Sequence, residues 1–228
     1  MGQRKYLILG ITTALLSCTQ HIPPQPTTEL IPSEFPEAYY HQAKTTDSII
    51  LRVDSKRSIV TINVFKGGIL SRLGHDHVVA SRDVSGYVDL GAGRADLLVP
   101  LDKLTVDEAE LRKAAALTTT PTAEAIAGTR RNMLDKVLES SHYPFALIHI
   151  KQNVSDNAKL DIKISLHGST HSYEIPAQIK IVGNEIQVSG EMKLNQSDFG
   201  ISPFSILGGA LQVLDELELK FLIVAASF

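Results

Sequence analysis

The sharpest chemical signal in the chain is the run His75-Asp76-His77. In a strand, side chains two positions apart point the same way, so two imidazoles at this spacing could converge on one site. Two histidines with a carboxylate between them begin a divalent-metal site, which requires three or four ligands. His167 and His171 would complete such a set if the fold brought their hairpin close. The alternative is a loop in which Asp76 orients an imidazole or caps a turn, with no metal involved. Ser71, His75 and Asp76 also make a triad on paper, but hydroxyls and carboxylates are common enough for this to arise by chance. The chain has no Gly-x-Ser-x-Gly elbow and no His-Glu-x-x-His pair. Its single cysteine, Cys18, lies in an N-terminal signal, which removes thiol catalysis and any disulfide within the chain. No catalytic residue, metal ligand or cofactor is therefore assigned.

Two further motifs have a chemical and a structural reading. Asp198-Phe199-Gly200 matches a kinase triplet, but a kinase also needs a glycine-rich loop and a catalytic loop, and neither is present. The structural reading makes Asp198 and Gly200 a turn, with Phe199 plugging or closing a barrel. Arg130-Arg131 could present guanidinium groups to an anionic headgroup. Equally, it is a solvated helix face with Arg131 near Asp135 or Glu139.

The elements that would position these residues are mostly strands. Residues 58–65, 84–90, 95–101, 145–150, 160–166, 172–181, 185–194 and 216–225 are short runs punctuated by turn residues, after an opening strand near Leu51. In 160–166, Leu160, Ile162, Ile164 and Leu166 alternate with Asp161, Lys163 and Ser165. One apolar and one wet face indicate antiparallel pairing, and about eight such strands normally curl and close, which removes exposed edges. The fold class is thus all-β, a closed antiparallel barrel. Inward candidates are Ile62, Val64, Val88, Leu147, Ile162, Ile164, Ile179, Val188, Met192 and Leu219. A barrel of this size is either filled by these side chains or just wide enough for one ligand, and alternation does not separate the two. Residues 105–140 carry helix signals instead. A short helix is expected over 107–116, and a second has Thr120 as N-cap with Pro121 at its first position. Ile126, Arg130, Met133, Leu134, Val137 and Leu138 then recur at helical spacing.

The first 18 residues read as an export signal. Arg4 and Lys5 precede an apolar run over 7–16, and Leu15-Leu16-Ser17-Cys18 resembles a lipobox whose cysteine is acylated. Leu16 is bulkier than usual there, and a plain secretory peptide or an uncleaved anchor are the alternatives. Thr19 is not the aspartate associated with inner-membrane retention, so the periplasmic face of the outer membrane is the expected location, with the soluble periplasm as the alternative. Residues 19–46 form a tether holding Pro23, Pro24, Pro26, Pro32 and Pro36, half of the chain's ten prolines. Phe35, Tyr39 and Tyr40 could fold its last third back onto the domain over 47–228. The composition, 43% hydrophobic and 21% charged with a formal net charge of −3, is that of a globular protein. Lys and Arg form no stripe, so no nucleic-acid partner is expected. No segment reaches the roughly 20 apolar residues of a spanning helix.

Several patches, in order, resemble the YceI-like family. They are Leu51-Arg52-Val53-Asp54, then Ser85-Gly86-Tyr87-Val88-Asp89-Leu90, then Met133 to Leu138 with His142-Tyr143-Pro144-Phe145. Leu166-His167-Gly168-Ser169-Thr170 and Gln196-Ser197-Asp198-Phe199-Gly200-Ile201 follow. The resemblance implies a lipocalin-like barrel with an open interior that takes a polyisoprenoid or other lipid without catalysis. The stretch 107–128 is longer, and 72–77 more polar, than the family pattern. On this reading the partners are an apolar small molecule and, through Cys18, a membrane. A histidine-based metal protein and a filled structural or adaptor lipoprotein are the competing readings.

Overall fold

The computed structural model describes residues 31–44, 48–153, 156 and 158–228. Cys18 and the tether up to residue 30 lie outside the described residues. The strands are β1 (Ile50–Val53), β2 (Ile59–Gly67), β3 (His77–Ser81), β4 (Ser85–Asp89), β5 (Arg94–Pro100) and β6 (Thr105–Val106). They continue as β7 (Phe145–Gln152), β8 (Lys159–Leu166), β9 (Ser169–Val182), β10 (Glu185–Asn195), β11 (Ser205–Ile206) and β12 (Leu211–Ala226). Among the described residues three α-helices accompany them: α1 (Glu37–Lys44), α2 (Ala109–Ala114) and α3 (Ala123–Asn132). None is long and apolar enough to cross a membrane.

Alternation makes the sheet. In β8, Leu160, Ile162 and Ile164 are buried while Asp161 and Lys163 are exposed. Neighbours run β1-β4-β5-β7-β8-β9-β10-β12, all antiparallel, and β12 returns to β1 through Arg52↔Ala226 and Val53↔Ala225. Eight strands therefore close into a barrel. β12 is 16 residues long, so its free edge also pairs with β2 from Gln212 to Leu222 before it reaches β1. β2, β3 and β6 form a wing continuing from that edge.

Gly86 shows why one position in β4 takes no side chain. Its φ is +143°, and a Cβ there would sit 2.1 Å from the Asp96 carbonyl oxygen on β5. The two strands approach through that vacant space.

The helical insertion differs from expectation in three places. α3 begins at Ala123, not beside Thr120, because the Thr122 hydroxyl accepts from the Ala125 N–H at 3.3 Å and becomes the cap. Pro121 is buried just before that cap, outside the helix. α2 is shorter than 107–116, since Asp107 has a left-handed backbone (φ 57°) and directs its carboxylate inward. Beyond Asn132 the helix widens into a π turn over Met133–Val137, which re-phases its apolar face and buries Leu134.

The end of the tether is part of the domain, whose compact unit begins at Pro32. Tyr40 is 1% exposed and stacks on Tyr87 with ring centroids 5.2 Å apart. Its hydroxyl donates to Asp96 at 2.5 Å, and Tyr39 donates to Asp89 at 2.9 Å. Asp96 also accepts from Arg94 Nε at 2.8 Å and lies 2.7 Å from His149 Nδ1. Burial alone would push the Asp96 carboxyl up, but hydrogen bonds from Arg94, Tyr40 and His149 outweigh it and hold the group below its usual range. Burial, then the bond to Asp96, pushes the Tyr40 hydroxyl up.

Gly86→Ala is expected to destabilise the fold by at least about 2 kcal/mol, since both the backbone conformation and the space forbid a Cβ. A urea midpoint equal to the parent's would show that β4 and β5 separate freely.

Candidate functional site

The barrel encloses a cavity of about 510 Å³, within the range of small-molecule sites, roughly 300–1,000 Å³. Ile62, Val64, Val88, Ile162, Ile164, Ile179, Val188, Met192 and Leu219 line it, as do Phe199 and Phe221. Two packed clusters flank the space. One surrounds Leu51, Val84, Leu97 and Ala225, and the other Leu160, Ile162, Phe199 and Ile201; Ile148, Ile150, Ile179, Val188 and Phe221 pack against both. In β2 every residue before Gly67 is half-buried rather than alternating, as expected where the inner face borders empty space instead of other side chains.

Leu147 does not line the cavity. β7 pairs Leu97 with Ile148 and Leu98 with Leu147, and it is Ala146, Ile148 and Ile150 that face the interior. Both faces of Phe145-Ala-Leu-Ile-His-Ile150 contain aliphatic residues, so alternation alone is ambiguous. His149 supplied the missing signal, because it shares a face with Leu147 and binds Asp96 on the outside of the barrel.

Polar groups are few in the lining, and Ser81, Gln196 and Gln212 are among them. Asp89, Arg94 and Gln152 lie at one end; Lys66, His75, His77, Thr129 and Asn132 lie at the other. His75 is in the loop before β3, so it and His77 do not share a strand face; their rings are 6.4 Å apart and steeply inclined. His75 Nδ1 is buried without a hydrogen-bond partner among the described residues. His77 Nδ1 instead lies 2.6 Å from Asp107. Asp76 serves the turn, accepting from the Lys66 N–H at 3.0 Å. His167 packs on Tyr143 at 4.4 Å, and His171 packs against Tyr173 and Phe199. Among the described residues no three His, Cys, Asp or Glu side chains are grouped to hold a metal ion. Ser71, His75 and Asp76 form no hydrogen-bonded relay, since Asp76 is engaged by Lys66 and His75 Nδ1 has no partner.

The partner of His77 was not visible in the sequence. Asp107 accepts from Arg112 Nη1 at 2.5 Å and from the Val78 N–H at 3.1 Å. Arg112, 6% exposed, also donates to the Asp76 carbonyl at 2.9 Å and to the Thr119 carbonyl at 2.5 Å. Burial would raise the Asp107 carboxyl, but bonds from His77, Val78 and Arg112 outweigh it and lower it. An ionised Asp107 only accepts, so His77 Nδ1 carries the proton. Arg130 is likewise structural, donating to the carbonyls of Leu104 and Asp102, while Arg131 is exposed with no ion pair to Asp135 or Glu139. Phe199 is 1% exposed, Gly200 ends its turn at φ 70°, and Asp198 accepts from Tyr173 at 3.1 Å.

An eight-stranded antiparallel barrel with an apolar interior defines the class of protein: a lipocalin-like barrel. The YceI-like domain model matches residues 52–225, and the chain belongs to that family. A polyisoprenoid-binding domain from Saccharophagus degradans, described as implicated in plant cell wall breakdown, superposes with a TM-score of 0.56 at 13% identity, covering 80% of this chain and 100% of that one. Burkholderia cenocepacia BcnA superposes with a TM-score of 0.53 at 15% identity, covering 75% and 98%. At these identities the likeness is one of fold. No curated protein matches the chain significantly.

Asp107→Asn is expected to cost about 3 kcal/mol at neutral pH, because Arg112 stays buried without its counter-charge. The sign with pH follows from the lowered carboxyl. Its contribution is complete above the unfolded value of about 3.9 and is lost as pH falls through the lower folded value. Urea titrations of parent and variant should therefore differ constantly down to mildly acidic pH and converge only below it.

Proposed function

We propose that the barrel holds a long apolar molecule, of isoprenoid or lipid-chain type, and does so without catalysis. The observation that carries this reading is the open interior itself, about 510 Å³ with a wall mainly of aliphatic and aromatic side chains. Each methylene transferred from water to such a wall contributes about 0.8 kcal/mol, so a chain of many methylenes binds on area alone. A filled barrel, as a purely structural lipoprotein requires, would leave no such space. The polyisoprenoid-binding domain with the same fold supports the same ligand chemistry.

The proposed setting is the bacterial envelope. Arg4, Lys5, the apolar run and Cys18 support export with acylation of the cysteine, and Thr19 supports the outer membrane's periplasmic face over the inner membrane. Acyl chains contribute about 0.8 kcal/mol per buried methylene, so several of them would anchor the protein durably.

Native mass spectrometry of the protein gently released from its own envelope should show a co-purifying apolar small molecule; a clean apo mass would sink the carrier reading. Val64→Phe with Val188→Phe should fill the cavity and weaken a long-chain probe at least about tenfold while the far-ultraviolet spectrum is retained. Metabolic labelling with a tritiated fatty acid should mark the parent and not Cys18→Ser, and equal labelling of the two would remove the lipid anchor.

A further inference from the structure

The end of the barrel that carries His75 and His77 has an apolar rim. The β2–β3 loop exposes Ile69 by 86% and Leu73 by 71%, and the segment around β11 exposes Leu207 by 69%. The two stretches lie side by side, since Leu70 N–H donates to the Ala210 carbonyl at 2.8 Å and Gly67 pairs with Gln212. Leu207 holds a left-handed backbone at φ 53°. That conformation is strained for a bulky residue, and here it presents a large aliphatic side chain to the outside rather than burying it. The strain gains nothing for the core.

The rim is continuous with the cavity. Gly74, Phe204, Ile206 and Leu211 line the interior, and Ile206 is at once lining and exposed. An apolar surface thus runs unbroken from the barrel wall to the outside at this end. Residues 66–74 contribute Lys66 and Arg72; the acid of the same loop, Asp76, is tied to the Lys66 N–H at 3.0 Å, and residues 199–214 contain no ionisable group. Lys136 adds a third cation, 5.9 Å from the Phe204 ring. At the opposite end Ile181 and Val182 are also exposed, but Glu185 sits beside them, paired with Arg57 at 2.6 Å.

We propose that this rim docks on an anionic phospholipid bilayer, inserting Ile69, Leu73 and Leu207 below the headgroups so that the cavity mouth opens onto the acyl phase. Exposed aliphatic tips with Lys66 and Arg72 beside them are the composition of an interfacial anchor. The inference rests on the carrier reading for its purpose. A long apolar chain leaving the barrel through water would expose each of its methylenes to solvent, whereas a mouth pressed against a membrane avoids that exposure.

The test uses the full chain with Cys18→Ser, so that Leu207→Cys provides the only thiol for an environment-sensitive fluorophore. With vesicles of phosphatidylglycerol and phosphatidylethanolamine the label should shift to the blue and be quenched by brominated acyl chains, and phosphatidylcholine vesicles should have a much weaker effect. A label at Val182→Cys should stay aqueous. A label at 207 that stays aqueous, or one at 182 that buries as deeply, overturns the proposal. So does a blue shift that grows with protein concentration without lipid, which would mean that a second copy covers the rim. Ile69→Asp, Leu73→Asp and Leu207→Asp together should slow transfer of a fluorescent long-chain probe from vesicles at least tenfold, while uptake of that probe from detergent solution is unchanged. If the parent takes up no probe from detergent, the carrier reading fails; if uptake persists and the variant's transfer is unaltered, only the docking fails.

Discussion

The closing strand β12 is the constraint on which the rest of the structure depends. It pairs with β10 along one edge from Glu185↔Ala226 to Asn195↔Glu216, and on the other edge it serves first β2 and then β1. A shorter strand would serve either the wing or the seam. The direct seam to β1 is only two residue pairs wide, so the turn joining β1 to β2 must bring both onto the same edge. Ser58 stitches that turn, accepting from the Val224 N–H at 3.0 Å. With the edge covered, the apolar face of the sheet turns inward on itself.

An inward face need not fill its own interior. Here packing is complete in two clusters, at Leu51-Val84-Leu97 and at Leu160-Ile162-Phe199, and incomplete between them. The chain has no tryptophan, and the wall is built mostly from Val, Ile and Leu, with Met192, Phe199 and Phe221. Those side chains leave about 510 Å³ of the interior unfilled.

The polar clusters hold the two excursions from the barrel rather than supplying its main stability. Asp96 gathers Tyr40, Arg94 and His149 and fixes α1 to the outer wall. Asp107 gathers His77, Arg112 and the Val78 amide and fixes the helical insertion against β3. Burying such charges costs several kcal/mol per ion, which their attraction largely offsets, so their net effect lies in position. His77 thereby acquires a structural partner at the cavity's polar end, while His75 does not.

Much of this was legible in the sequence. Period-two alternation in 160–166 and 185–194 specified antiparallel strands with one apolar face, because a residue's face in a strand follows from parity alone. The inward candidates it picked, Leu147 excepted, all border the cavity. Parity failed where both faces are aliphatic, as at Leu147, and there the register set by β5 and the Asp96–His149 contact decided. The helix cap moved from Thr120 to Thr122 because two threonines flank one proline, and only the docked chain selects between them. What tertiary structure alone decided is long-range: that Asp107 and Arg112 meet His77, that His167 and His171 do not meet His75, and that the barrel stays open. Local pattern determines which face a side chain takes. The diameter of the closed sheet, a sum over all eight strands, determines whether those faces touch.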